Sequence, residues 1–372
     1  MAESIPKKIV VYIPEEIVVE ILLRLPAKWL VRCKCVCKQW RSLISDRAFA
    51  KRHLQKLKEG DLIPSQRIIM DGSIKPLKTV DYEALDGGGM VVPHGIEPLR
   101  KSRIVGSCNG LVCLIRPSNF VIYNPTTREF IEFSGSHFVD EAALFRASYE
   151  TFYGFGYDSQ SDDYKIAVVV GDVVGVENCK VAIFSLKSSC WRMIEVPFQE
   201  EYIECVCPVV YWKGALHWLF YAWNKKAKPK IKGKPKIMSF DLSEERFHQV
   251  LPVPQVGLDT LLLGLGIHGA NLFIYNTAQN PRIEAWITDE YGIGAPWNRW
   301  FSVDVIWNER LERIPLAYTR SGKIVYLMDR NRMILFNPED NTCRDHPLGA
   351  DYIRGCAVYL ETLVSPYPDD SV

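Results

Sequence analysis

Three cysteines at alternate positions, Cys33, Cys35 and Cys37, are the densest group of potential metal ligands or redox thiols in the sequence. On a strand, all three side chains would point to one side and could begin a zinc site. On a helix, Cys35 is turned ~200° from Cys33, so the group would not converge. Because the neighbouring apolar residues follow a helical period, we expect Cys33 and Cys37 on an apolar helix face and no metal site.

Other residues that could do chemistry are scattered. The seven histidines stand singly, and Cys205 and Cys207 supply only two of the four ligands that a zinc site needs. The sequence has no P-loop, no dinucleotide-binding fingerprint, no Gly-x-Ser-x-Gly elbow and no His-Glu-x-x-His pair. We therefore expect no catalytic residue, no metal and no cofactor.

Composition favours an intracellular globular protein. The chain has 372 residues, 48% apolar and 24% charged, with a net charge of +1, which suits one large and one small domain and makes nucleic acid an unlikely partner. No apolar run approaches the length of a membrane span, and no secretory leader is indicated, so we expect cytoplasmic and/or nuclear localisation. The eleven cysteines are then expected to be reduced thiols.

The densest charge is a run of seven lysines between two strand-like stretches, which is expected to form a long hairpin loop. No aromatic residues alternate with these lysines, so the pattern is not typical of a nucleic-acid surface. A solvated loop, a nuclear-import signal and a surface for a protein target remain the alternatives. The candidate target-binding residues are Lys225, Lys226, Lys228, Lys230, Lys232, Lys234 and Lys236.

Residues 10–57 are predicted to form a small helical domain. A first apolar stripe through Ile17, Ile21 and Leu25 predicts a helix that begins near Pro14 and ends at Pro26. A second stripe, from Trp29 to Ile44, predicts one further helix. About 45 residues cannot cover so much apolar surface by themselves, so this domain is expected to be buried by a partner.

Residues 60–365 are predicted to be all-β and repetitive. A glycine followed by an apolar run recurs with gaps of 104, 55 and 53 residues, and the stretch beginning at Asp162 fills the double gap. Each of the five units is expected to contain about four short strands, as one blade of a β-propeller does. The repeated glycines are Gly110, Gly214, Gly269 and Gly322.

The two ends of this β-rich region supply a sixth blade. Strand-like residues near Arg67 and near Ile353 are expected to pair and so to close the ring, which removes exposed sheet edges. The predicted fold is therefore mostly β, with a small N-terminal helical domain and a six-bladed C-terminal propeller. Another all-β, sandwich-like assembly is the alternative.

The helical segment closely resembles an F-box. The matching features are Ile13-Pro14, Glu16-Ile17, Ile21-Leu22, Arg24-Leu25-Pro26, Leu30 and Val36-Cys37-Lys38-x-Trp40. The phrases "GSCNGLVCL", "YNPTTREF", "YGFGYDSQSDDYK" and "GALHWL" resemble the F-box-associated, kelch-like domain of plant F-box proteins. Within that family the sequence is similar to the S-locus F-box receptors of pollen and to receptors that control immune-receptor levels.

The resemblance implies a non-catalytic substrate receptor of a Skp–cullin–F-box ubiquitin ligase. The helices would bind a Skp-type adaptor, and through it cullin and RING subunits, while the propeller would hold a protein target for ubiquitination and proteasomal degradation. A scaffold outside any ligase is one alternative, and a propeller enzyme is a disfavoured one. The expected adaptor-binding residues are Pro14, Ile17, Ile21, Leu22, Leu25, Pro26, Leu30, Val36, Cys37 and Trp40.

Overall fold

The N-terminal part of the chain is helical and the remainder is built from strands. The computed structural model describes residues 13–60, 64–72, 77–87, 102–116, 119–135, 153–170, 178–197, 203–205, 209–224, 231–251, 253–254, 262–276, 282–292, 296–304, 313–349 and 352–368.

Four α-helices lie within residues 13–60. They are α1 (Glu15–Leu23), α2 (Ala27–Cys33), α3 (Lys38–Ser45) and α4 (Arg47–Glu59). Pro14 and Pro26 are the N-cap residues of α1 and α2, with φ of −55° and −59° and an extended ψ of 144° at each, so each helix begins directly after its proline. The Asp46 carboxylate accepts a hydrogen bond from Phe49 N at 3.0 Å and caps α4, which ends at the left-handed Gly60.

The prediction of one continuous helix from Trp29 to Ile44 is wrong. The chain leaves the helix after Cys33 and starts a new one at Lys38. Cys37 has an extended backbone, and its Sγ accepts a hydrogen bond from Trp40 N at 3.4 Å, so it caps α3. Cys33 and Cys37 therefore do not share a helix face, and both Cys35 and Cys37 are exposed.

The strands form six sheets, as the sequence predicts. Blade 1 contains β3 (Arg103–Cys108), β4 (Leu111–Ile115), β5 (Asn119–Asn124) and β6 (Glu129–Ser134). Blade 2 contains β7 (Tyr153–Asp158), β8 (Asp163–Val170), β9 (Asn178–Ser185) and β10 (Cys190–Pro197). Blade 3 contains β11 (Ile203–Cys205), β12 (Val210–Trp212), β13 (Ala215–Asn224), β14 (Ile231–Asp241) and β15 (Arg246–Leu251).

The remaining three sheets complete the ring. Blade 4 contains β16 (Leu262–His268), β17 (Asn271–Asn276), β18 (Arg282–Thr288) and β19 (Asn298–Asp304). Blade 5 contains β20 (Arg313–Tyr318), β21 (Ile324–Met328), β22 (Arg332–Asn337) and β23 (Thr342–Pro347). Blade 6 contains β24 (Ile353–Leu360), β1 (Gln66–Gly72) and β2 (Lys78–Val80), and a short helix α5 (Tyr82–Asp86) follows β2.

Blade 6 joins the two ends of the β-rich region. Its strand β24 pairs antiparallel with β1, with Ile68 opposite Val358, and this pairing confirms the predicted closure of the ring. Apolar side chains fill the space between neighbouring blades. Between blades 1 and 2, for example, the Phe133 and Phe184 rings stack with centroids 3.9 Å apart.

The alternating strand directions give the propeller two faces. Turns between the first and second strands of a blade, and between its third and fourth strands, lie on what we call the turn face. Examples are the turns at Asn109-Gly110 and Lys213-Gly214, where both residues have positive φ. The innermost strands, such as β3 and β24, begin on the opposite face.

A buried ion-pair network links blades 2 and 3 near the turn face. The Lys165 ammonium lies 2.8 Å from Asp158 Oδ2 and 2.9 Å from Glu245 Oε1, and it donates to the Leu242 carbonyl oxygen at 2.8 Å. The Asp158 and Lys165 side chains are only 3% and 9% exposed. Because Lys165 bonds Asp158 in its own blade and reaches Leu242 and Glu245 of blade 3, it holds the two blades in register.

Candidate protein-interaction sites

Large apolar side chains are exposed mainly on the first two helices and the residues that flank them. Of the nine such side chains exposed among the described residues, five lie between residues 13 and 36. We call these five residues the apolar patch, and their exposures range from 51% to 64%. They are Ile13, Ile17, Ile21, Trp29 and Val36. Ile17 and Ile21 are four residues apart on α1 and so share a face.

A compact core supports the apolar patch from beneath. Leu22 and Leu30 are fully buried and pack in one cluster with Ile44 and Phe49, while Leu25 and Trp40 are partly buried against it. The side chains of Leu22 and Leu30 therefore have no surface to offer a partner, and they hold α1 and α2 to α3 and α4.

The ten residues predicted to contact an adaptor thus fall into three sets. Six of them are exposed, two are partly buried and two are fully buried. The exposed residues are Pro14, Ile17, Ile21, Pro26, Val36 and Cys37, and the others are Leu25, Trp40, Leu22 and Leu30. The prediction omitted Ile13 and Trp29, although Trp29 is 54% exposed and the Arg32 guanidinium lies 4.6 Å from its ring centroid.

The C-terminal tail, residues 361–368, fixes the helices against the turn face. Leu363 belongs to the apolar cluster of the helical domain. Arg47 of α4 donates to the carbonyl oxygen of Tyr367 at 2.8 Å and also to that of Pro368. Asn124 Nδ2 donates to the carbonyl oxygens of Thr362 at 3.1 Å and of Val364 at 2.7 Å, which ties the same tail to blade 1.

Helix α4 also meets blade 2 directly. Lys51 pairs with Asp162, and the Lys58 ammonium lies 5.8 Å from the centroid of the Tyr157 ring. A cleft of about 320 Å³ remains between α4, the tail and the turns of blades 1 and 2. The apolar patch is therefore carried on helices with a defined orientation relative to the propeller.

The described residues offer no metal-binding constellation. No group of three His, Cys, Asp or Glu side chains among them is arranged to hold a metal ion. Burial lowers the pKa of His217 to about 4, and burial also lowers the pKa of His53, whose Nε2 lies 2.8 Å from the Leu25 carbonyl oxygen. These two histidines are neutral core residues at pH 7. No described helix is long and apolar enough to cross a bilayer.

The lysine run is not one long loop. Lys232, Lys234 and Lys236 belong to β14, which pairs with β13 in an antiparallel hairpin. In this hairpin Lys236 lies opposite Phe220, and its ammonium lies 5.9 Å from the centroid of the Phe220 ring. Four members of the predicted set lie outside the described residues: Lys225, Lys226, Lys228 and Lys230.

Comparison with protein-family models agrees with both parts of the fold. Residues 90–364 match the model described as F-box associated beta propeller domain, and residues 10–56 match the F-box-like model. The chain belongs to the F-box associated β-propeller family. The helical domain of this F-box protein is thus its F-box-like region, and the apolar patch lies within it.

Curated relatives resemble this F-box protein over nearly its whole length. "F-box protein CPR1" from Arabidopsis thaliana is 28% identical over 88% of this chain and 82% of the relative. "F-box/kelch-repeat protein At3g23880" from the same organism is 28% identical over 95% of this chain and 96% of the relative. Among solved structures, the β-propeller domain of Cps50 (Swd1) from Myceliophteria thermophila aligns with a TM-score of 0.40 at 10% identity, covering 76% of this chain and 86% of that one.

Proposed function

We propose that this F-box protein is the target-recognition subunit of a Skp–cullin–F-box ubiquitin ligase. The F-box binds a Skp-type adaptor and, through it, cullin and RING subunits. The propeller binds a target protein, which is then ubiquitinated and degraded by the proteasome. In this proposal the chain itself is not catalytic, because other subunits carry out the transfer, and it acts in the cytoplasm and/or the nucleus.

The observation that carries the proposal is the concentration of exposed apolar side chains on the F-box. Covering the exposed half of an isoleucine is worth about 1 kcal/mol, so Ile13, Ile17 and Ile21 together supply a useful part of a binding free energy. Trp29 adds an aromatic side chain of the kind that often dominates protein interfaces. Soluble monomers rarely expose several large apolar side chains in one region, so this group supports a binding surface.

Burial divides the predicted adaptor-binding residues by role. We propose that the exposed members contact the adaptor together with Ile13 and Trp29. Leu22 and Leu30 support the patch from the core, and Leu25 and Trp40 lie at its edge. On this basis, Leu22→Ala weakens adaptor binding only by loosening the helices, whereas Ile17→Asp acts at the interface.

Co-purification with a Skp-type adaptor tests the proposal. The intact chain is expected to elute with the adaptor, and the double variant Ile17→Asp/Ile21→Asp is expected to elute alone. Phe130→Asp is the matched control, because Phe130 is an exposed apolar residue on β6 of the propeller. Failure of the intact chain to retain any adaptor at low salt would overturn the proposal. Retention of adaptor without cullin would support the scaffold alternative instead.

A further inference from the structure

Three arginines come together on the opposite face of the propeller, where blades 5, 6 and 1 meet. Arg103 begins β3, Arg354 lies near the start of β24, and Arg330 lies in the turn between β21 and β22. Arg330 Nη1 donates to the Arg354 carbonyl oxygen at 2.8 Å, and Arg354 Nη2 donates to the Ser102 carbonyl oxygen at 3.3 Å. The second of these bonds joins segments that are 252 residues apart in the sequence.

The carboxylate that accompanies this arginine cluster is Asp71, which is 2% exposed. Its Oδ2 accepts a hydrogen bond from Ile104 N at 3.3 Å. Burial raises the pKa of Asp71 to about 6, and the charges of Arg354 and Arg103 oppose that rise. Asp71 therefore supplies at most one negative charge to the two guanidinium groups of Arg354 and Arg103.

Neither Arg103 nor Arg354 forms an ion pair with any described residue, although both are partly buried. Within the described part of the chain, Arg354 Nε is buried without a hydrogen-bond partner, and so is the hydroxyl of Ser102, a residue that is 2% exposed. Burying a cation whose N–H donors make no hydrogen bonds costs free energy, and an anion that accepts those hydrogen bonds offsets the cost.

We propose that the arginine cluster binds an anionic side chain, either phosphate or carboxylate, in a segment of the target protein. The planar fork of a guanidinium matches both anions with two parallel hydrogen bonds. Tyr352 is 51% exposed, and its ring centroid lies 5.8 Å from Arg330 Cζ, so it supplies an aromatic surface for the rest of the segment. This inference rests on the proposed function, in which the propeller holds the target.

The arginine cluster lies on the face of the propeller that the F-box leaves open, where a target segment can bind. The F-box and the C-terminal tail occupy the turn face, where Arg47, Lys51 and Leu363 make their contacts. The arginine cluster lies on the other face, so a bound segment would not compete with the adaptor for space. A protein segment is favoured over nucleic acid because the anion site is local and the net charge of the chain is only +1.

Peptide binding to the full chain, purified with its adaptor, tests the inference. The probes are fluorescent degenerate peptides with a central phosphoserine, glutamate or alanine, and fluorescence anisotropy measures their affinity. The phosphoserine or glutamate peptides are expected to bind at least tenfold more tightly than the alanine peptides. Arg103→Gln and Arg354→Gln are each expected to weaken that binding about ten- to hundredfold, as for the loss of hydrogen bonds to a charged group.

Two controls separate recognition from folding. Arg299→Gln removes a 63% exposed arginine on β19, far from the cluster, and is expected to leave the affinity unchanged. Arg103→Lys keeps the charge but loses the planar fork, so an intermediate affinity is expected. Comparison of phosphoserine with glutamate peptides identifies which anion the target supplies.

Several results would overturn the inference. They are equal binding of acidic and alanine peptides, wild-type affinity in Arg103→Gln, stabilisation by inorganic phosphate without any peptide preference, and tighter binding of single-stranded RNA than of peptides. Adaptor retention is measured in the same sample. A chain that keeps its adaptor but ignores acidic peptides would contradict this inference alone, whereas a chain that loses its adaptor would contradict the proposed function.

Discussion

Replacing Lys165 with methionine tests how the blades are held together. The substitution keeps most of the side-chain volume but leaves the buried carboxylate of Asp158 without its cation, while Glu245 keeps only its pair with Arg192. Removing one partner of a buried pair costs about 3–5 kcal/mol, because the remaining charge stays desolvated. For a domain of about 300 residues, with an unfolding entropy of about 2 cal/mol/K per residue, that loss lowers Tm by about 5–8 °C.

The matched control is Arg332→Met. Arg332 pairs with Asp345 at 2.6 Å, but the two side chains are 40% and 45% exposed. Water screens such a pair, so its loss is expected to cost less than about 1 kcal/mol. Scanning calorimetry on both variants measures the difference. Equal shifts of Tm would refute the reasoning that burial makes the Lys165 network important.

The pH dependence gives a second readout of the same network. Burial favours the neutral form of Asp158, but hydrogen bonds from Lys165, Ser161, Ser243 and Gln160 N outweigh it and hold the pKa of this carboxyl well below its usual range. The stability contributed by ionised Asp158 is therefore present above its unfolded-state pKa of about 4 and is lost as the pH falls below that value. The difference in unfolding free energy between the wild type and Lys165→Met is expected to become smaller below pH 4. A constant difference down to pH 2 would contradict the stabilising role of ionised Asp158.

Three further substitutions probe the junction and the core. Gly110→Ala places a Cβ 2.1 Å from Thr362 Oγ1 at a φ of +87°, whereas the Cβ of Gly214→Ala, at a similar φ, meets open space. Urea unfolding should therefore show that Gly214→Ala lowers the free energy of unfolding by about 1 kcal/mol and that Gly110→Ala lowers it clearly more. Asn124→Ala removes two hydrogen bonds to the C-terminal tail, and limited proteolysis is expected to cut the tail faster than in the wild type. Because the folded-state pKa of His217 is about 4, its NMR signals should not titrate between pH 5 and 8. Replacing His217 with phenylalanine should also reduce the loss of stability that occurs as the pH falls below 6.5.

The repeat in the sequence was sufficient to predict the ring. The recurring glycines and the strand-like ends near Arg67 and Ile353 carry local signals, and the structure places them in six blades closed by β24 and β1. Helix periodicity alone did not predict the break before Cys37, because the apolar stripe continues through Val36 and Trp40 while the backbone turns. The capping role of Cys37 is a local hydrogen bond that periodicity does not report.

Features built from distant segments could not be read from the sequence. The tail residue Leu363 completes the core of the F-box, but the tail has no periodic pattern that indicates such a contact. The arginine cluster likewise joins Arg103, Arg330 and Arg354 only through the ring closure. Leu22 is buried and Ile17 is exposed, although both belong to the set of predicted adaptor-binding residues.

The affinity of the chain for a Skp-type adaptor is the most direct test of the central claim that the apolar patch is a docking surface. Isothermal titration should give an affinity at least about thirtyfold weaker for Ile17→Asp than for the wild type, because an unpaired carboxylate in an apolar interface costs about 2 kcal/mol or more. Phe130→Asp, on the propeller, should bind as the wild type does. Equal affinities for wild type and Ile17→Asp, with the helices intact by circular dichroism, would contradict the account.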